Sequence, residues 1–251
     1  MTRVTGWNRL AGVVSVPLFL ILWQIVSMSG LVNIRLFPPP TVVVEALWRS
    51  AVSGILWTDL GMSVSRVVIG YAAGASAGIV IGLITGRYEL ASCLLGPVFQ
   101  LLRPIPPVAF VPVVILWFGL SEYGKWFLVF WGVFFTVWMA THLGVQRVDE
   151  RLIRAARCLG TPERRLIRAI VLPAALPVIF VGLRSAIAVS FYTLVAAELA
   201  GTFAGLAYRI DLAQQNLQMG QMMGGLVMLG IVSAIADRGF AYISRKVIWW
   251  T

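Results

Sequence analysis

The chain has 251 residues, 59% hydrophobic and only 12% charged, with a mean hydropathy of +0.89. A soluble domain carries about 25% charged residues, so this composition excludes one and describes an integral membrane protein with room for about six spans of ~20 residues. The formal charge of +10 does not describe a nucleic-acid surface, because the basic residues are distributed by membrane side and form no aromatic-interleaved patch.

The first apolar run, 10–29, follows Arg3 and Arg9. It is longer than the roughly 7 to 15 residues of a signal-peptide core and lacks an A-x-A cleavage pattern, so it is read as a span. Residues 30–61 are extramembrane, and Pro38-Pro39-Pro40 stiffens the stretch. Thr41 can then cap a helix through Val44, Leu47 and Trp48 that lies at the interface with Trp57; a plain connecting loop is the other reading. The second span, 62–85, carries Gly70, Gly74, Gly78 and Gly82, with Gly86 next in the series. Small residues every four positions form a smooth ridge on which another helix packs closely, within the protomer or between two.

The third apolar region, 91–120, is broken by Pro97, Arg103, Pro104, Pro106, Pro107 and Pro112, and no regular helix tolerates that run. Irregular backbone survives at membrane depth only against protein or a water-filled cavity, which makes the region a candidate translocation path. Alternatively, 91–102 lies at the cytoplasmic interface and the crossing begins near Pro104. Gly119 to Trp126 nearly spells the phosphate loop GxxxxGK[ST]. Trp126 replaces the hydroxyl that would hold magnesium and no strand precedes it, so the stretch is a turn and the chain does not hydrolyse ATP. The fourth span is 126–143.

A basic loop, 145–172, comes next. Asp149 can cap a short helix with Leu152, Ala156 and Leu159 on one face and Arg151, Arg154 and Arg157 on others. Gly160 supplies the left-handed residue that ends it; Thr161 as N-cap and Pro162 at the first helical position start a second helix. Such a bent, arginine-rich hairpin suits lipid poorly, yet Leu159, Leu166, Ile167 and Ile170 are too apolar for an idle linker, so a soluble partner is expected on it. The fifth span, 173–197, has Pro173 and Pro177 in its first turns. A polar loop, 201–221, holds Gln214-Gln215-Asn216, which either touches substrate or is solvated. The sixth span is 222–242.

The order Ala155-Ala156, Gly160, Ile170-Val171-Leu172-Pro173 resembles the signature loop of ABC-importer permeases, Glu-Ala-Ala, three residues, Gly, nine residues, Ile-x-Leu-Pro. Only the leading Glu departs, being Arg154. Arg103 to Glu122 (RPIPPVAFVPVVILWFGLSE) and Thr193 to Glu198 (TLVAAE) look like the taurine, aliphatic sulfonate and nitrate branch. The resemblance implies an all-α type I importer permease, one transmembrane domain over 1–251. It also implies an ATPase-coupling loop comprising Arg154, Ala155, Ala156, Gly160, Thr161, Pro162, Ile170, Leu172 and Pro173. The implied partners are a second copy of the permease, two P-loop ATPase chains that bind ATP and magnesium, an extracytoplasmic binding protein and membrane lipid. This chain would bind no cofactor. Taurine or another sulfonate is the first expectation for the solute; nitrate, bicarbonate, a pyrimidine vitamin precursor and an aromatic carboxylate are the alternatives.

Orientation is set by charge. With the amino terminus cytoplasmic, that side holds Arg3, Arg9, Arg87, seven loop arginines, Arg238, Arg245 and Lys246, against Arg35, Arg49, Lys125 and Arg209 outside. The positive-inside rule therefore places both termini and the loop in the cytoplasm, and the resemblance implies a prokaryotic inner membrane. Arg184, about eleven residues into the fifth span, can hold an anion or serve a structural pairing, since Gly-Leu-Arg is common at this place in the resembled family. Arg103, Pro106, Pro107 and Tyr192 are further path candidates, and Glu198 is an arginine partner or gate. His142 is the sole histidine and Cys93 and Cys158 lack ligand spacing, so no metal site is expected and both thiols are read as free. No catalytic constellation is present, which disfavours a membrane enzyme. A secondary transporter or channel would want repeated broken helices, and only one broken region occurs.

Overall fold

The computed structural model describes residues 6–248, with side chains from Val14 onward; Arg3 and the Arg9 side chain lie outside the described residues. Every described element is helical. In order they are α1 (Gly6–Met28), α2 (Pro40–Val52), α3 (Ile55–Arg87), α4 (Glu89–Leu102), a 3-10 turn (Pro107–Phe110) leading into α5 (Val111–Phe118), α6 (Glu122–Gln146), α7 (Glu150–Cys158), α8 (Glu163–Leu166), a π turn (Ile167–Val171), α9 (Leu172–Leu199), α10 (Leu206–Gln215) and α11 (Met219–Val247). Four stretches are long and apolar enough to cross a membrane: Ile55–Arg87, Glu122–Gln146, Glu163–Leu199 and Met219–Val247. The α4–α5 pair, bent by 85°, makes a fifth when taken as one span, and Val14–Met28 is a shorter apolar helix.

The glycine ridge decides the packing. A Cβ on Gly70 would fall 2.6 Å from Val129, on Gly74 3.0 Å from Val133, on Gly78 2.9 Å from Val137 and on Gly86 2.7 Å from Val145. Gly82 meets Thr141 in the same way. The ridge therefore packs within the protomer, against α6, where every fourth residue offers a β-branched side chain to a bare backbone. Where lipid gives no hydrophobic drive, this close approach is what holds two helices together. Because both series ascend together, α3 and α6 run parallel. On its other side α6 is antiparallel to α9: Gly144 faces Ala175 and Val178, Gly182 faces Ala140, and Gly132 faces Val189 and Thr193. Arg184 with Asp237, and Phe180 with Phe240, make α11 antiparallel to α9.

Two parallel neighbours force the chain between them to return. Along α4 and α5 the contacts on α6 move steadily backwards, from Phe99 against Trp138 and Phe135, through Phe110 against Trp131, to Phe118 against Phe127. The whole stretch thus returns along α6 with a bend of 85° in the middle. The break falls at Arg103 to Pro106. Pro97, expected among the breakers, sits inside α4, where it forfeits only the amide bond to the Cys93 carbonyl.

Several boundaries differ from the sequence expectation. The stretch 30–61 holds a true helix, α2, but its N-cap is Pro39, not Thr41; Pro40 at the first position presets the helical backbone angle. The helix packs on α11, with Val42 and Leu47 beside Gly220 and Gly224. The span expected over 62–85 begins at Ile55, since nothing between Gly54 and Tyr88 stops it, and the span expected from Trp126 begins at Glu122. The loop expected over 201–221 contains α10, whose first turn is capped from other helices.

Candidate coupling loop and solute path

The basic loop is built as two short helices about a bend. Asp149 accepts from the Arg151 amide at 2.9 Å and caps α7. At its other end Gly160, φ +74°, donates to the Arg157 carbonyl, and Thr161 donates to Ala156 at 3.0 Å. This is the complete left-handed helix stop. The next helix starts one residue later than expected: Pro162 is extended and is its N-cap, its carbonyl receiving the Arg165 and Leu166 amides. Helix α8 then runs through the π turn into α9 without interruption. Pro173 has no amide for the Ala169 carbonyl and its ring crowds that oxygen, and the preceding turn is widened so that the Leu172 amide reaches Ile167, five residues back.

The apolar residues of the loop divide between two roles. Ala156, Leu166 and Val171 are buried with Val145, Ala175 and Ile179, with Ile153, Ile170 and Leu172 packed against them. Leu166, expected to face a partner, is therefore core. Leu159 at 85% exposure and Leu152 at 54% stand clear, beside exposed Ala155 and an exposed Arg154 paired with Glu150. Arg87 at the end of α3 meets Glu163 at 2.6 Å, and Arg157 lies 3.6 Å from the same carboxylate, so the loop is fastened to the foot of α3.

At the break of the return pass a cavity of ≈ 340 Å³ opens, lined by Arg103, Pro107, Trp131, Phe135, Met139 and Tyr192 among others. It brings together three of the six residues singled out for the path. Pro106 precedes the 3-10 turn and is not on the wall. Arg184 is elsewhere, in a two-pronged pair with Asp237 of α11 at 2.7 Å; this is the structural pairing. Glu198 is also elsewhere, fully buried.

Glu198 belongs to a polar cluster joining the first turns of α3 and α6 to the end of α9. All five N–H donors of buried Arg66 are used: Nε and Nη2 on Glu122 at 2.7 and 2.8 Å, Nη1 on Glu198 and the Ala204 carbonyl, and Nη2 also on Thr202. Lys125 adds a second cation on Glu122 at 2.8 Å. The amides of Gly205, Leu206 and Ala207, which open α10, donate to Asp59, Ser63 and Glu198; Asp59 also holds Arg209. Orphan donors at this helix start are thus met by side chains of α3 and α9. Asp59, Ser63 and Arg66 recur at four and three residues, one polar stripe on an apolar helix, which is the signal that marks them. Placing the span start at residue 62 hid it.

The family of binding-protein-dependent transport system inner membrane components matches residues 78–249. The chain is 34% identical to the putative aliphatic sulfonates transport permease of Escherichia coli, covering 100% of this chain and 93% of that one. It is 32% identical to the Bacillus subtilis protein of the same description, over 98% and 88%, and 31% identical to the E. coli taurine transport system permease, over 94% and 88%. In fold it is similar to the MetNI methionine ABC transporter in inward facing conformation, TM-score 0.58 at 18% identity over 82% and 96% of the two chains. An amino acid ABC transporter gives 0.59 at 15% over 82% and 98%. With a matching family across most of its length and apolar helices to span a bilayer, the chain belongs to the binding-protein-dependent inner membrane components, as a multi-pass, non-catalytic permease subunit of an ABC importer.

Proposed function

We propose that the chain carries a taurine-like sulfonate from an external binding protein into the cytoplasm, as one of two identical permease chains on two ATPase chains. The observation that carries the reading is the bent loop with exposed Leu152 and Leu159, continuous through Glu163–Leu199 with a spanning helix. A groove on the ATPase receives Arg154, Ala155 and the Gly160 bend, and movement of the ATPase pair passes along an unbroken helix into α9. Ala156, Ile170, Leu172 and Pro173 act behind this surface, holding the loop to the bundle, with Thr161 and Pro162 shaping the bend. ATP and magnesium belong to the ATPase, and this chain needs no cofactor of its own. The 1–251 chain is one transmembrane domain with its loop and termini cytoplasmic, in agreement with the positive-inside count and with the arginines clustered at the α7 end.

Sulfonate is favoured over other small solutes by the three permeases whose descriptions name sulfonates or taurine and which align over nearly the whole chain. The test is uptake of labelled taurine by cells lacking the chain. Restoration by the wild-type chain supports the reading. Undiminished uptake without it removes taurine, and nitrate, bicarbonate and aromatic acids are then supplied to the same strain.

A further inference from the structure

We propose that Arg103, with Tyr192, forms a step halfway along the solute path that holds an anionic group of the solute, so that this subunit itself selects for a sulfonate-like or carboxylate-like group in what crosses. The inference rests on the importer reading but not on the identity of the solute.

The first support is charge pairing. Arg66 and Lys125 share Glu122, Arg66 also meets Glu198, and Arg184 meets Asp237. Arg103 lies on the cavity wall opposite the middle of α6, and no carboxylate pairs with it among the described residues. Arg238 also makes no salt bridge there; both arginines are exposed, but Arg238 lies within about three turns of the end of α11, where a long side chain can reach the interface, whereas Arg103 lies on a cavity wall. A cation held at mid-depth without a partner is expensive, and an anion beside it removes that cost. The second support is hydrogen bonding. The Tyr192 side chain on the same cavity is 60% exposed and makes no hydrogen bond among the described residues. The Thr136 hydroxyl, by contrast, is committed to the Gly132 carbonyl. One cation and one unmet donor around one cavity match a sulfonate or carboxylate, whose oxygens only accept.

The third support is a neighbouring chamber. A second cavity of ≈ 420 Å³, lined by Ser92, Cys93, Gln100 and His142, shares Met139 with the first. It has no Arg, Lys, Asp or Glu on its walls. An anion leaving Arg103 passes Met139 into a chamber that solvates it weakly and retains it less. Cys93 stands in that chamber, ~15 Å along α4 from Arg103, and is a free thiol.

That thiol gives a test independent of any solute. In the assembled importer carrying Cys158→Ser, Cys93 is the remaining cysteine of this chain, and its labelling is read on the permease band alone. Its labelling rates by an anionic sulfonatoethyl and a cationic trimethylammonium-ethyl methanethiosulfonate are each divided by that reagent's rate with free cysteine. The anionic reagent should be favoured several-fold, and Arg103→Gln should bring the ratio close to one. Labelled-taurine uptake is measured beside it: Arg103→Gln should lose at least about tenfold at equal amounts of inserted protein, and Arg103→Lys should recover most of it. Taurine transport unchanged in Arg103→Gln, or a labelling ratio indifferent to Arg103, overturns the proposal. The expected labelling ratios in a protein that moves no taurine in any form uphold the anion step and overturn the taurine assignment.

Discussion

Arg66 and Glu198 are each at most 1% exposed, and removal of one partner strands a buried charge at a cost of about 3–5 kcal/mol. Glu198→Gln should therefore lower the amount of monodisperse protein that survives heating in detergent, while uptake per surviving molecule changes little. A loss of uptake in an equally heat-stable protein would instead put Glu198 in the path. Gly160 behaves differently: a Cβ there meets nothing within 4 Å, and only its φ of +74° matters. Gly160→Val should uncouple ATP hydrolysis from transport because the left-handed bend costs it about 1–2 kcal/mol or more. Gly160→Asn, which tolerates that backbone, should remain coupled. Normal transport by the valine variant would show that the bend is dispensable. The Gly160 bend and the Asp149 cap were legible because their causes lie within a few residues. The Arg66 cluster was not, since its carboxylates stand 56 and 132 positions away in the chain.

The α3–α6 contact is a seam of glycine against β-branched residues, and a glycine inside it and one outside it predict opposite signs. Gly78→Ala pushes a Cβ to 2.9 Å from both the Phe134 carbonyl and Val137, so it should destabilise by about 1–3 kcal/mol through overpacking. Gly230→Ala on α11 meets nothing within 4 Å and should stabilise by up to about 1 kcal/mol from helix propensity alone. Paired thermal unfolding in the same detergent decides both. The ridge itself was plain in the sequence, as was a break in 91–120, which falls at Arg103 to Pro106. Its partner was not, although Val129, Val133, Val137, Thr141 and Val145 repeat with the same period, because periodicity within one helix does not say which neighbour receives it. Helix α10 was missed for a related reason: its cap comes from α3 and α9, and a helix whose start is satisfied from a distance leaves no local start signal.

At the scale of the molecule the two ends differ in kind. The end bearing Arg66, Glu122 and Glu198 ties α3, α6, α9 and α10 together with buried charge, whereas the opposite end offers the exposed leucines of a loop rooted in α9 and fastened to Arg87. A push on the loop is thus resisted at the far end and taken up between, where the broken pass borders the two cavities. The parallel seam also sets a schedule. Each glycine and the residue it receives are 59 positions apart, Gly70 with Val129 and Gly86 with Val145. At the ribosomal pace of roughly 5–20 residues per second, the bare face of α3 waits about 3–12 s in the membrane before α6 arrives. During that wait the unpaired ridge is open to any other small-residue helix nearby, so the glycines that hold the finished subunit together are also the place where its assembly is most exposed to the wrong partner.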